Sequence, residues 1–266
     1  MISEALSPTL PGNATDTPRL PLRERMTLLA ALAAISGLSW LYIIRMPMAP
    51  ADLGTVGARL FSVLPPGFAN LWFAFMMWAV MMVAMMLPSA MPMILTYAAI
   101  ARRHRGTPAY APWIFAGAYV LVWTVFSAGA TAGQLTFENT SLLENASRAT
   151  WITGAVLLVL AGLYQLTSLK NVCLAHCRSP IGFFMTEWRD GIGGALAMGI
   201  KHGAQCLGCC WMLMGLLFVF GVMNLLWVAA LTILVLLEKV APSGHTIARV
   251  SGMAMLATAI VLVVHH

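Results

Sequence analysis

Apolar residues fall along this chain in long, nearly unbroken runs separated by short polar segments. The runs cover residues 27–44, 71–97, 113–135, 151–169, 193–220, 224–237 and 247–264. A helix that crosses a bilayer needs roughly 20 apolar residues, since each adds ~1.5 Å toward a hydrocarbon core ~30 Å thick. The pattern therefore predicts an all-α fold, a polytopic transmembrane helix bundle of about seven spans. The sixth run is short. Gly221 can end one helix and Asn224 can cap the next; if that break is false, residues 211–237 form one helix and there are six spans. Residues 1–26 precede the first run. Proline and polar positions between Ser7 and Pro21 make this stretch a flexible cytoplasmic tail in expectation, not a signal peptide, with residues 27–266 a single transmembrane domain.

Composition strengthens that picture. Of 266 residues, 60% are hydrophobic and 9% charged, and the mean hydropathy is +0.84. A soluble domain carries about a quarter charged residues, so lipid is the expected solvent for most of this chain. No length remains for a separate soluble catalytic domain. The formal charge of +6 reads as the Lys/Arg bias of cytoplasmic loops. Arg19, Arg23 and Arg25 precede the first span. Arg102, Arg103 and Arg105 follow the second, Lys170, Arg178 and Arg189 lie between the fourth and fifth, and Lys239 and Arg249 flank the last short loop. This predicts a multi-pass protein of the bacterial inner membrane with a cytoplasmic N-terminus. No basic stripe interleaved with aromatics points to nucleic acid. No Ser/His/Asp set or carboxylate pair shares one depth, so an enzyme is not expected.

All five cysteines lie between Cys173 and Cys210, an odd and clustered set that suits ligation better than disulfide stapling. The first group is Cys173-Leu-Ala-His176-Cys177. The second is His202-Gly-Ala-Gln-Cys206-Leu-Gly-Cys209-Cys210-Trp211. Thiolate and imidazole suit copper(I) or zinc and not magnesium or calcium. On a helix, Cys173 and Cys177 share a face, as do His202, Cys206 and Cys209 or Cys210. Gly199, Gly203 and Gly208 would let another helix approach closely. A single buried cysteine is ordinary packing, but five in one window with two histidines are not.

The second span adds paired methionines, Met81 with Met85 and Met82 with Met86, next to Pro88 and Pro92. Thioether sulfur favours copper(I), although methionine also fills gaps between helices. The two prolines suggest a broken helix, tolerated in a membrane where it is buried or lines a cavity. Glu238 approaches the same depth and is a further candidate ligand, with an ion pair to Lys239 as the bland reading. Lys201 is either part of the site or an interfacial residue whose chain snorkels to water.

These stretches resemble a family of bacterial predicted metal-binding integral membrane proteins classed as a domain of unknown function. The resemblance rests on Met85-Met86-Leu-Pro88, on Tyr164-Gln165-Leu-Thr-Ser-Leu-Lys170 leading to Cys173 and Cys177-Arg178-Ser-Pro180, and on Gly203-Ala-Gln-Cys206-Leu-Gly-Cys209-Cys210-Trp211 followed by Met223-Asn224 and Glu238-Lys239. It implies a helical membrane fold and metal binding. The expected metal ligands are Cys173, His176, Cys177, His202, Cys206, Cys209, Cys210, Met81, Met85 and Glu238. The expected metal is copper, with zinc second. The expected function is copper(I) handling as transporter, chaperone or assembly factor, with the lipid bilayer and a membrane metalloenzyme or complex as partners. The competing readings are a membrane thiol–disulfide oxidoreductase, using Cys206 and Cys209 as Cys-x-x-Cys, and an accessory subunit of a larger complex.

Overall fold

The computed structural model describes residues 20–45, 68–104, 106–139, 148–220 and 224–265. Every regular element among them is a helix: α1 Leu22–Arg45, α2 Phe68–Ala101, α3 Ala111–Asn139, α4 Arg148–Leu166, α5 Ser168–Arg178, α6 Pro180–Glu187, α7 Gly191–Gly215, α8 Leu217–Phe220, α9 Leu225–Val240 and α10 Gly244–His265. Most of the expected tail, residues 1–19, lies outside the described residues.

Four helices, α1, α2, α3 and α10, are long and apolar enough to cross a membrane. Helices α4 and α5 make a fifth if their 63° bend belongs to one span. The expected seven thus becomes four to five by length and apolarity. The difference has a local cause in each case. The run 193–220 is cut at Leu216, between α7 and α8. Helix α7 has 25 residues, but its glycines and Lys201, His202 and Gln205 dilute its apolar character. Helix α9 has 16 residues, short of the roughly 20 a span needs. Its start is as expected: the Asn224 side chain accepts from Leu226 N–H at 3.2 Å, capping the helix. Gly221 lies outside the described residues.

The expected break at the two prolines is absent, and α2 runs straight through Pro88 and Pro92. Proline has no N–H for the carbonyl four residues back, so Pro88 leaves Ala84 C=O without its helical donor. Helix α1 supplies replacements: Trp40 Nε1 donates to Ala84 O at 3.1 Å and Ser36 Oγ at 3.4 Å. A neighbouring helix therefore mends the ladder that the proline opens.

Helix α3 packs between α2 and α7, α1 lies on the far side of α2, and α5 packs along α7. Helices α4 and α10 form a second close pair, and α9 joins the two groups by touching α2, α5 and α10. Glycine makes both approaches possible. A β-carbon on Gly199 would sit 2.5 Å from the Phe115 carbonyl oxygen, and one on Gly203 2.8 Å from Val122 Cγ2. One on Gly162 would sit 2.9 Å from Gly252 O. These are small-residue contacts of the kind that hold helices together when the surroundings are as apolar as the interface. The outer faces agree: Leu38, Leu226 and Val264 are exposed, and only 17% of the most apolar stretch of α1 and of α10 is buried. Water would not tolerate such faces.

Candidate metal centre

Helix α5 exists because α4 ends at Thr167. The Thr167 hydroxyl accepts from Lys170 N–H at 3.3 Å, a helix cap, and the chain restarts at 63° to its old course. The turn lays Cys173 and Cys177 against α7. Gly208 is the point of contact, since a β-carbon there would lie 3.0 Å from Cys173 Sγ. One turn further on, Cys177 packs against the buried core to which Cys206, Cys209 and Cys210 belong. Tyr164 fixes α4 to the same place, donating to the Gly208 carbonyl with its ring edge against Trp211.

On α7 the three thiols are buried and turn to different neighbours. Cys209 faces α5. Cys210 Sγ lies 3.9 Å from Met86 Sδ on α2. Cys206 Sγ receives a hydrogen bond from Lys239 Nζ at 2.8 Å and lies 3.0 Å from the Tyr119 hydroxyl. The thiols of Cys209 and Cys210 both rest on the Cys206 carbonyl, at 3.1 and 2.9 Å. Ser89 closes the pocket: it accepts from Lys239 Nζ at 3.1 Å and donates to Met86 O at 2.8 Å, the carbonyl that also takes the Tyr119 hydroxyl at 3.1 Å. All five cysteines are free thiols.

The structure thus brings Cys173, Cys177, Cys206, Cys209 and Cys210 into one sulfur-rich region. No set of three or more His, Cys, Asp or Glu among the described residues converges as a ready-made metal site. A tetrahedral zinc site needs such a set. Copper(I) accepts fewer ligands and softer ones, including the thioether that Met86 adds beside Cys210.

The other expected ligands lie elsewhere. His176 is exposed and its Nδ1 sits 2.8 Å from Val172 O on its own helix. His202 is buried, stacked on Tyr119 at 5.4 Å and near Phe115 and Phe183, and its Nδ1 has no partner among the described residues. Met81 and Met85 are buried in the helical core, yet it is Met86 that meets a thiol. Glu238 is committed to an ion pair, its Oε2 2.7 Å from Lys170 Nζ and its Oε1 2.8 Å from Gln165 Nε2. The Glu238–Lys239 pair expected from sequence does not form, because successive residues on a helix point about 100° apart. Lys201 is half exposed and its Nζ lies 2.6 Å from Glu187 Oε2, so its ammonium is committed to that carboxylate.

Tyr119 and Ser89 are the neighbours that sequence reading missed, and Met86, named in a methionine row, was not among the expected ligands. Periodicity made the Met82/Met86 row equal to the Met81/Met85 row, and only the rotation of α2 against α7 separates them. Lone Tyr and Ser residues on other helices carry no spacing signal at all.

A family model described as PpoB2, copper chaperone, matches residues 75–262. That span contains every residue of the sulfur pocket. No curated protein and no solved structure matches the chain.

Proposed function

The chain belongs to the PpoB2 copper chaperone family, and from that premise we propose that it is a multi-pass membrane protein that holds copper(I) between α5 and α7 and hands it to a membrane metalloenzyme. The observation that carries this reading is the packing of Cys173 and Cys177 on α5 against the stretch of α7 that bears buried Cys206, Cys209 and Cys210, with Met86 beside Cys210. The four to five apolar candidate spans support the membrane setting.

Cuprous ion is the cargo here, and soft sulfur donors are what it prefers. The half-buried pair Cys173 and Cys177 stands at the side of the pocket, with buried Cys206, Cys209 and Cys210 behind it. In this proposal the ion enters at Cys173 and Cys177 and passes inward by exchange of one sulfur for the next. Thiols lose their protons on binding a metal. The Cys206 carbonyl, which receives both neighbouring thiol hydrogens, keeps the sulfurs of Cys209 and Cys210 together until then. No organic substrate is turned over.

Purified full-length protein, loaded with copper(I) under reductant, tests the proposal by elemental analysis. The Cys206→Ser/Cys209→Ser variant should lose most of the copper bound per chain. An unchanged copper content in a correctly folded variant would overturn the assignment.

A further inference from the structure

Among the described residues, Lys239 is the buried cation whose partner in the sulfur region is a thiol. It is 8% exposed, and its Nζ is held by Cys206 Sγ at 2.8 Å and Ser89 Oγ at 3.1 Å. Neighbouring Glu238 cannot balance it, because both oxygens of that carboxylate are taken by Lys170 and Gln165. The hydroxyls against Cys206 and Lys239, those of Tyr119 and Ser89, are neutral. Lys239 therefore brings a full positive charge that only cysteine sulfur can answer.

We propose that Lys239 is the specificity-determining residue of this pocket: its ammonium, fixed on Cys206 and Ser89, makes the thiols accept one monovalent soft cation and reject divalent ions such as zinc. The inference rests on the copper reading above and deepens it.

Charge counting gives the reason. Two thiolates, one ammonium and one monovalent ion sum to zero. A divalent ion in the same place leaves one uncompensated positive charge, and such a charge is costly in a low-dielectric interior. A third thiolate could restore balance. However, no three Cys, His, Asp or Glu side chains among the described residues are placed to share one ion. Affinity alone would not exclude zinc, since thiolate pockets bind both metals and selection falls to geometry and ligand type. A resident cation adds a discriminator that sulfur lacks.

The test uses the full chain in detergent, equilibrated under reductant with equal amounts of copper(I) and zinc, and counts each metal per chain by mass spectrometry. Lys239→Gln removes the charge and keeps a hydrogen-bond donor, Lys239→Met removes both, and Lys239→Arg keeps the charge. The zinc-to-copper ratio should rise by roughly tenfold or more in the Gln and Met variants, from the lost charge repulsion, and stay near the wild-type value in the Arg variant. Should the Gln variant not fold, the Met variant, similar in length and apolar, reads the same ratio. A wild-type ratio in the folded neutral variants overturns the inference, as does a wild-type protein that takes zinc as readily as copper. In both cases the copper reading stands. Wild-type protein that binds no copper overturns the two together.

Discussion

Glu238 and Lys239 follow one another on α9 and enter two regions built on opposite plans. Glu238 joins a closed network. Lys170, fully buried, pairs with it at 2.7 Å; Gln165 donates to it at 2.8 Å and to Ser251 at 2.9 Å; and Arg178 donates to the Glu238 carbonyl at 2.8 Å. The Lys170 and Glu238 charges cancel, and the donors to Glu238 come from α4, α5 and α10. Lys239 enters a region of sulfur and hydroxyl where, among the described residues, no carboxylate pairs with it. In the first region the carboxylate is answered by a buried lysine, and its work is to tie the bent α4–α5 unit to α9. The second holds a cation against ligands that can also take a metal. Two buried lysines can therefore differ in role because of what faces them, not because of depth.

The sharpest way to break this comparison is to open the closed network. Lys170→Met leaves the Glu238 carboxylate buried without its cation, which costs about 3–5 kcal/mol when one partner of a buried pair is removed. The double variant Lys170→Met/Glu238→Leu should recover most of that loss, since two apolar side chains leave no orphan charge. Denaturant unfolding in detergent measures both. A single variant as stable as wild type would mean that the pair is not isolated from other charge, and the contrast with Lys239 would collapse.

Much of this arrangement was legible in the letters. The Cys173/Cys177 group, the Cys206–Cys210 group and the close-packing role of Gly199, Gly203 and Gly208 all follow from spacing, because i to i+4 geometry is fixed along a helix. Asn224 announced its own cap. What spacing cannot give is the rotation of one helix against another. That rotation chose Met86 over Met85 and sent Glu238 to Lys170, far away in sequence. Nor can it show a repair made from outside, as when Trp40 and Ser36 supply the donors that Pro88 withholds from α2. Local rules saw a broken helix, and tertiary contacts kept it whole.

A smaller effect is expected inside the sulfur pocket. Tyr119→Phe removes the hydroxyl that bonds Met86 O and approaches Cys206, while keeping the ring that stacks on His202 at 5.4 Å. Met86 O retains Ser89 as a donor, so the loss should be about 1 kcal/mol, the net value of one hydrogen bond. If the variant instead unfolds as easily as Lys170→Met, the pocket is as tightly closed as the ion-pair network, and the distinction drawn here fails.

The smallest effect belongs to the third lysine pair, which serves as the control. Lys201 and Glu187 have the same chemistry as Lys170 and Glu238 and a similar separation, 2.6 Å, but the lysine is 48% exposed. Water and salt screen such a pair. The Lys201 ammonium, by hydrogen bond first and charge second, holds the Glu187 carboxyl below its ordinary range. A carboxylate with a lowered value adds stability above that ordinary range and loses it as the pH falls through the folded value. Lys201→Ala should therefore leave the unfolding midpoint unresolved from wild type at neutral pH and moderate salt, and the two proteins should converge further in acid. A loss that matches the buried pair would show that burial is not what separates these lysines, and that the depth of Lys170 and Lys239 explains nothing.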